Sequence, residues 1–422
     1  MSLIRPMRST ILCIATAFAV AYTAAAQENH TIAGDTLHRS GQTQQRVVRY
    51  VDPTNYADVR ARLDAASRPS FGQRIIERLR RPLLAASPAK GLDLSATAGI
   101  GYTQETGLAV AAAATTLFSA QRDDTLAPLS SATLAASVSV TGFYRFRSTG
   151  LVNLHRGSRR LKWDMDVGSL PMRFWGLGYE AADVNARTSY TQKSQHVAAG
   201  YDFRVARALF IGVSLDLRHA EAVNLDATGL QYIAAQNQPR HAFSTGLGIT
   251  AEFDTRDNAH SATRGIYLAM LTEVRPRALG DSRSTLWHIT ATADWYHPLW
   301  RDAVAAIDLY ADLWSSATPW LFWPSVGGTS RLRGYYTGRY TDRKMVAAQV
   351  ELRQHIYGPI GVCVWTGAAN VCSSHKLFDW SEILPNYGLG VRLALGEKTS
   401  LRIDYGFGRR SNGLVINVNE AF

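Results

Sequence analysis

Cysteine is nearly absent, with three in 422 residues, and charge is scarce, at 19% of positions. Beyond residue 26 there is no run of about 20 apolar residues, the length a spanning helix needs. Each shortage excludes a class. The missing apolar runs exclude a helical membrane protein, and the missing cysteines exclude a disulfide-stapled secreted scaffold. Cys13 falls in the first 26 residues. Cys363 and Cys372, nine positions apart, would lie about 30 Å apart on one extended strand, far beyond bonding reach. There is no phosphate loop, nucleotide fingerprint or metal-ligand cluster, so no cofactor is expected. Aromatics, at 10%, are too frequent for a disordered chain.

What the chain does have is alternation. Hydrophobic residues make up 46% of it, yet mean hydropathy is only −0.11, because apolar positions are diluted by polar ones. From residue 91 onward the dilution is regular. Leu209, Ile211, Val213, Leu215 and Leu217 alternate with Gly212, Ser214, Asp216 and Arg218, and Leu401, Ile403, Tyr405 and Phe407 alternate with Arg402, Asp404 and Gly406. A period of two marks strands with one apolar face. A soluble sandwich and a membrane barrel both fit that period. Runs longer than five or six residues, aromatics near their ends and a last strand reaching Phe422 favour the barrel. An all-β membrane protein is expected, a 16-stranded antiparallel transmembrane barrel over 91–422. Its strands fall near 91–103, 107–119, 131–142, 147–156, 159–169, 188–204, 207–220, 241–255, 264–276, 284–297, 301–314, 343–357, 360–370, 386–395, 398–408 and 412–422.

Two segments precede the barrel. Residues 1–26 have the form of a signal peptide: Arg5 and Arg8, an apolar stretch over 11–22, and Ala24, Ala25 and Ala26 before the cut. Cys13 lacks the small residue before it that a lipid anchor requires. Residues 27–90 are expected to be a periplasmic, partly helical segment with helices over 55–66 and 71–84. In the second helix Ile75, Ile76, Leu79 and Leu83 form one face and Arg74, Arg78, Arg80 and Arg81 the rest. That face suits a membrane surface or partner, and equally the base of a barrel.

Specific words stand inside the barrel. VGGTSRLRGY at 326–335 contains Gly327, Gly328, Leu332, Arg333, Gly334 and Tyr335, and Glu351 and Arg353 follow on the next strand. FDTRDN at 253–258 supplies Asp254, Arg256, Asp257 and Asn258 at a turn before Gly265, and LRIDYG at 401–406 precedes Phe422. This ordered set resembles the BamA/TamA superfamily of outer-membrane barrels, also called the bacterial surface antigen family, over about 91–422. FWGLGY at 174–179 resembles a phrase of its short members in Bacteroidota. The resemblance implies that the sixth extracellular loop folds back into the barrel and that Arg333 pins its tip to acidic residues on the wall. A guanidinium in a narrow lumen can hold a carboxylate through two hydrogen bonds. By parity Glu351 points inward and is the first candidate partner, with Asp308 and Asp312 also inward. The superfamily often carries Phe-x-Asp where this chain has Trp365-Thr366-Gly367, so the partner stays open. Asp254, Arg256 and Asp257 are better explained as a turn whose charges satisfy one another than as a catalytic group.

The resemblance further implies insertion, assembly or translocation of outer-membrane or surface proteins, or lipids, through a seam between first and last strands. Candidate seam residues are Thr97, Gly99, Gly101, Asn417, Asn419 and Phe422. Segment 27–90 has no room for the POTRA modules of well-known members, so any client-delivering part is a separate periplasmic or lipoprotein partner or is absent. The competing classes are a passive pore, which a plugging loop argues against, and a surface enzyme. No enzyme is expected, because His288, His297, His355 and His375 sit in no motif with catalytic partners. The net charge of +11 suits outer-membrane lipid and phosphate-rich lipopolysaccharide, and nucleic acid is not expected in this compartment.

Overall fold

The structure, a computed structural model, describes residues 84–85, 92–103, 107–120, 128–259, 261–373, 378–394, 400–418 and 420–422. The signal-peptide segment and the expected helix over 55–66 lie outside these residues. So does the expected helix over 71–84, except Leu84, which is strand rather than helix. The short β1 (Leu84–Ala85) pairs with β2 (Leu92–Thr103) at Ala96 and Ser95, giving its backbone groups ladder partners.

Fifteen further strands continue the sheet. They are β3 (Gly107–Phe118), β4 (Ser130–Ser139), β5 (Tyr144–Leu154), β6 (Arg159–Phe174), β7 (Thr188–Ala206), β8 (Leu209–Val223), β9 (His241–Asp254) and β10 (Gly265–Arg275). Then come β11 (Leu286–Pro298), β12 (Ala303–Trp314), β13 (Lys344–Tyr357), β14 (Ile360–Cys372), β15 (Leu384–Ala394), β16 (Ser400–Gly408) and β17 (Ser411–Val418). From β2 to β17 every consecutive pair is antiparallel and in sequence order, so chain order leaves the first and last long strands to meet at a seam. Among the described residues the long strands number sixteen, as the alternation leads one to expect.

Two boundaries differ in an instructive way. β6 runs past the expected 169 to Phe174, through Pro171. Its register with β5 stops at Ser169, whereas that with β7 continues to Phe174, so the ring sits where β6 has one neighbour, the edge-like place where proline is tolerated. β17 ends at Val418, so Phe422 is not on a strand as expected.

The sheet is apolar outside and charged inside, which decides between the two readings of the alternation. On β13, Val350 is 47% exposed between Gln349 and Glu351, which are 1% and 0% exposed. Val213 and Leu215 on β8, Ile249 on β9 and Leu389 on β15 are likewise exposed, while Asp216, Glu273, His288, Arg392 and Asp404 are buried. A water-soluble sheet would invert this arrangement, whereas a membrane barrel requires it. Among the described residues no helix is long and apolar enough to cross a membrane.

The three longest connections, 175–187, 224–240 and 315–343, share one end of the barrel. There α1 (Tyr179–Ala182) and α2 (Ala227–Ala235) meet the sixth long connection, 315–343. Phe174, Tyr190, Trp314, Trp320 and Phe322 form an aromatic cluster at that end, which seats the root of the connection over the taller wall of β6 to β9.

Candidate functional site: the loop-six lock

Segment 315–343 does not arch away from the barrel but descends into it, and its backbone explains how. Gly327, Gly328 and Gly334 have φ of +111°, +116° and +101°, in the region that favours glycine. Leu332 takes φ +50° without that excuse, and its buried side chain holds it there. The left-handed residue turns the chain so that Arg333 projects at the wall.

Arg333 is wholly buried between two acids. Its Nη1 donates to Asp404 Oδ2 of β16 at 2.6 Å, and its Nη2 donates to Glu351 Oε2 of β13. The guanidinium carbon stands over Trp365 of β14, 3.7 Å from the ring centroid, so the ring shields the ion pairs from water. The acids are shared: Arg353 Nε donates to Glu351 Oε1 at 2.7 Å, and Arg392 Nη1 donates to Asp404 Oδ1 at 2.5 Å. Arg402 Nη1 stands 3.4 Å from Asp404 Oδ2, and its Nη2 donates to the Thr329 carbonyl at 2.7 Å. One side chain therefore ties the loop to β13 and β16 at once.

The backbone of the word docks as closely as its side chain. Asn386 Nδ2 donates to the Arg333 carbonyl at 2.7 Å, and Ser411 Oγ donates to the Gly334 carbonyl at 2.8 Å. Tyr335 Oη donates to the Pro385 carbonyl at 2.6 Å and accepts from the Arg409 N–H at 2.7 Å. A Cβ on Gly406 would collide with the Arg333 carbonyl, and one on Gly334 with the Gly406 carbonyl. The tip of loop six is thus seated on the lumen side of β15, β16 and β17, the strands beside the seam.

A profile of the Omp85 superfamily domain matches residues 135–415, more than half of the chain. The chain belongs to the Omp85 superfamily. Its fold is similar to that of BamA from Haemophilus ducreyi lacking POTRA domains 1-3, at a TM-score of 0.54 and 15% identity over 77% of this chain and 70% of that one. It is also similar to CdiB from Escherichia coli, at 0.51 and 11% over 79% of this chain and 63% of that one. The Omp85 chain thus spans about two-thirds of the length of these proteins. No curated protein sequence matches it.

Within this Omp85 barrel the expected lumen acids take separate places. Glu351 meets Arg333 as described. Asp308 instead takes a bidentate contact from Arg331, at 2.8–3.1 Å, with Gln349 Nε2 donating at 3.0 Å. Asp312 meets His288 Nε2 at 3.1 Å, and the other ring nitrogen meets Glu273 at 2.8 Å. Both acids face the lumen, but each is taken by another partner, Asp308 by Arg331 and Asp312 by His288. Asp404 is the partner that sequence reasoning missed, although it stands in the LRIDYG word with inward parity. Trp365, at the aromatic place of the missing Phe-x-Asp, covers the arginine rather than leaving it bare.

At the short-turn end Arg256 Nη2 donates to Asp254 at 2.8 Å, and Asp257 Oδ1 accepts from the Thr263 N–H at 3.0 Å. Asn258 Oδ1 accepts from the Ser261 N–H at 2.9 Å, so the FDTRDN word closes on itself. In β2, Thr97, Gly99 and Gly101 stand opposite Ala113, Ala111 and Ala109. Asn417 stands opposite Arg402. Asn419 and His375 lie outside the described residues. Phe422 is corrected from the seam to the lumen floor: its carbonyl accepts from Arg353 Nη2 at 3.0 Å, and its ring lies 6.4 Å from that of Tyr296.

Proposed function

We propose that this barrel inserts, assembles or translocates outer-membrane or surface proteins by parting β2 from β17, with loop six holding β15 to β17 as a fixed wall. The observation that carries the reading is the double anchorage of Arg333 on β13 and β16, reinforced by Ser411 of β17 on Gly334. It stiffens the last strands from within. β2, by contrast, is laddered along its length to β3 and carries the two-residue β1 at Ser95 and Ala96, a small contact to displace. A freed β2 edge offers unpaired N–H and C=O groups to an incoming client strand. BamA and CdiB share the fold, and the family makes such a role coherent.

The same reading gives the chain no enzymatic role and supplies its setting. Residues 1–26 are a signal peptide, 27–90 a periplasmic segment without POTRA modules, and a separate periplasmic or lipoprotein partner delivers clients. The net charge of +11 favours contact with lipopolysaccharide.

A cysteine scan tests the seam. Thr97 stands in register with Ala113, Ala135, Arg147 and Asp166, and Asn417 stands opposite Arg402. Positions 95, 97 and 99 are paired with 415, 417 and 419 in a background lacking Cys363 and Cys372 until one disulfide forms within bonding geometry. The oxidised barrel should be folded but lose its cellular role, and reduction should restore it. Full activity of a quantitatively locked protein would exclude lateral opening and leave a pore.

A further inference from the structure

Beyond the end of β17 the chain turns into the lumen beneath the lock. Glu420 Oε2 accepts from Arg392 Nε at 2.8 Å and lies 3.5 Å from Arg353 Nε. Ala421 is buried. The Phe422 carbonyl accepts from Arg353 Nη2 at 3.0 Å, and its ring packs against Tyr296, Ala262 and Ala306 with the Arg353 guanidinium 5.4 Å away. These are the two arginines that also serve the lock, Arg353 on Glu351 and Arg392 on Asp404.

We propose that Glu420–Phe422 is a displaceable latch that holds the loop-six lock closed through the shared Arg353 and Arg392. The charges give the direction. Four arginines, Arg333, Arg353, Arg392 and Arg402, converge on Glu351 and Asp404, and Glu420 is the third acid that occupies Arg353 and Arg392. With Glu420 withdrawn, those two arginines turn their free donors on Glu351 and Asp404 and compete with Arg333 for them, in a desolvated site where unpaired charge is costly. The latch begins two residues beyond Val418, the last paired residue of β17, and is held by Arg353, Arg392 and Tyr296 rather than by strand pairing, so it can leave without unravelling the sheet. Linkage makes the coupling reciprocal: loosening Arg333 must loosen the tail. The inference concerns the barrel's own closure and holds whether or not a client crosses the seam.

The test uses the full-length protein folded in liposomes. Trypsin cleaves after Arg331 and Arg333 only when loop six leaves its seat. In Glu420→Gln and in Phe422→Ala, cleavage within loop six should run roughly 5- to 150-fold faster than in wild type, the usual range of coupling between linked sites. Heat-modifiable electrophoretic mobility identifies the folded barrel. The reciprocal measurement places a cysteine at Ala421→Cys, with Cys363→Ser and Cys372→Ser, and asks whether Arg333→Lys speeds its reaction with a maleimide. Wild-type cleavage rates in the folded tail variants would overturn the latch, and so would unchanged labelling at position 421. If either tail variant fails to fold, the labelling result alone decides.

Discussion

Replacing Arg333 by alanine should unseat loop six while leaving the barrel wall intact. Breaking a buried ion pair by removing one partner costs about 3–5 kcal/mol. Here the acids left behind keep company, Glu351 with Arg353 and Asp404 with Arg392, which places the cost at the lower end, about 3 kcal/mol. At about 1.4 kcal/mol per factor of ten, the open population of the loop rises about a hundredfold. Chymotrypsin added from the long-loop side reads that population, because Leu332 and Tyr335 are buried in the seated loop and cleavable only in the open one. Arg339 is the control. It lies beyond the word and donates to the Ala182 and Arg410 carbonyls at 3.1 and 2.6 Å. Arg339→Ala forfeits no buried ion pair, and its cleavage should rise only a few-fold. Arg333→Lys should fall between the two, since an ammonium on a shorter reach cannot bridge both acids as the guanidinium does. Equal cleavage of wild type and Arg333→Ala would refute the account of the lock.

Two further expectations follow from packing and spacing. Gly406→Ala should release the loop as Arg333→Ala does, since its methyl would meet the Arg333 backbone carbonyl, which cannot move aside as a side chain could; unaltered proteolysis of a folded Gly406→Ala barrel would contradict that contact. Cys363 and Cys372 should stay reduced, because both lie on β14, about 30 Å apart by strand rise; mass spectrometry of alkylated, unreduced protein should find no peptide linking them.

The alternation, read with strand length and the aromatics near strand ends, determined the expected barrel, its sixteen long strands and the face of most strand side chains. Period-two patterning is local, so counting along the chain suffices to place Glu351 inward and Val350 outward. It also fixed the position of the long sixth connection and the words within it. What it could not supply was height and distance around the wall. Asp308, Asp312, Glu351 and Asp404 are all inward by parity, and only the cumulative register from β13 to β16, which carries the row of Glu351 to Gly406, brings Asp404 within one inward step of it so that Arg333 reaches both, while Asp308 falls to Arg331 and Asp312 to His288. The tail of the chain shows the same division. Ile416, Val418 and Phe422 continue the beat of a strand, yet the chain leaves the sheet after Val418, because Arg353, Arg392 and Tyr296, brought together from three separate strands, offer Glu420 and Phe422 partners that no stretch of sequence displays side by side.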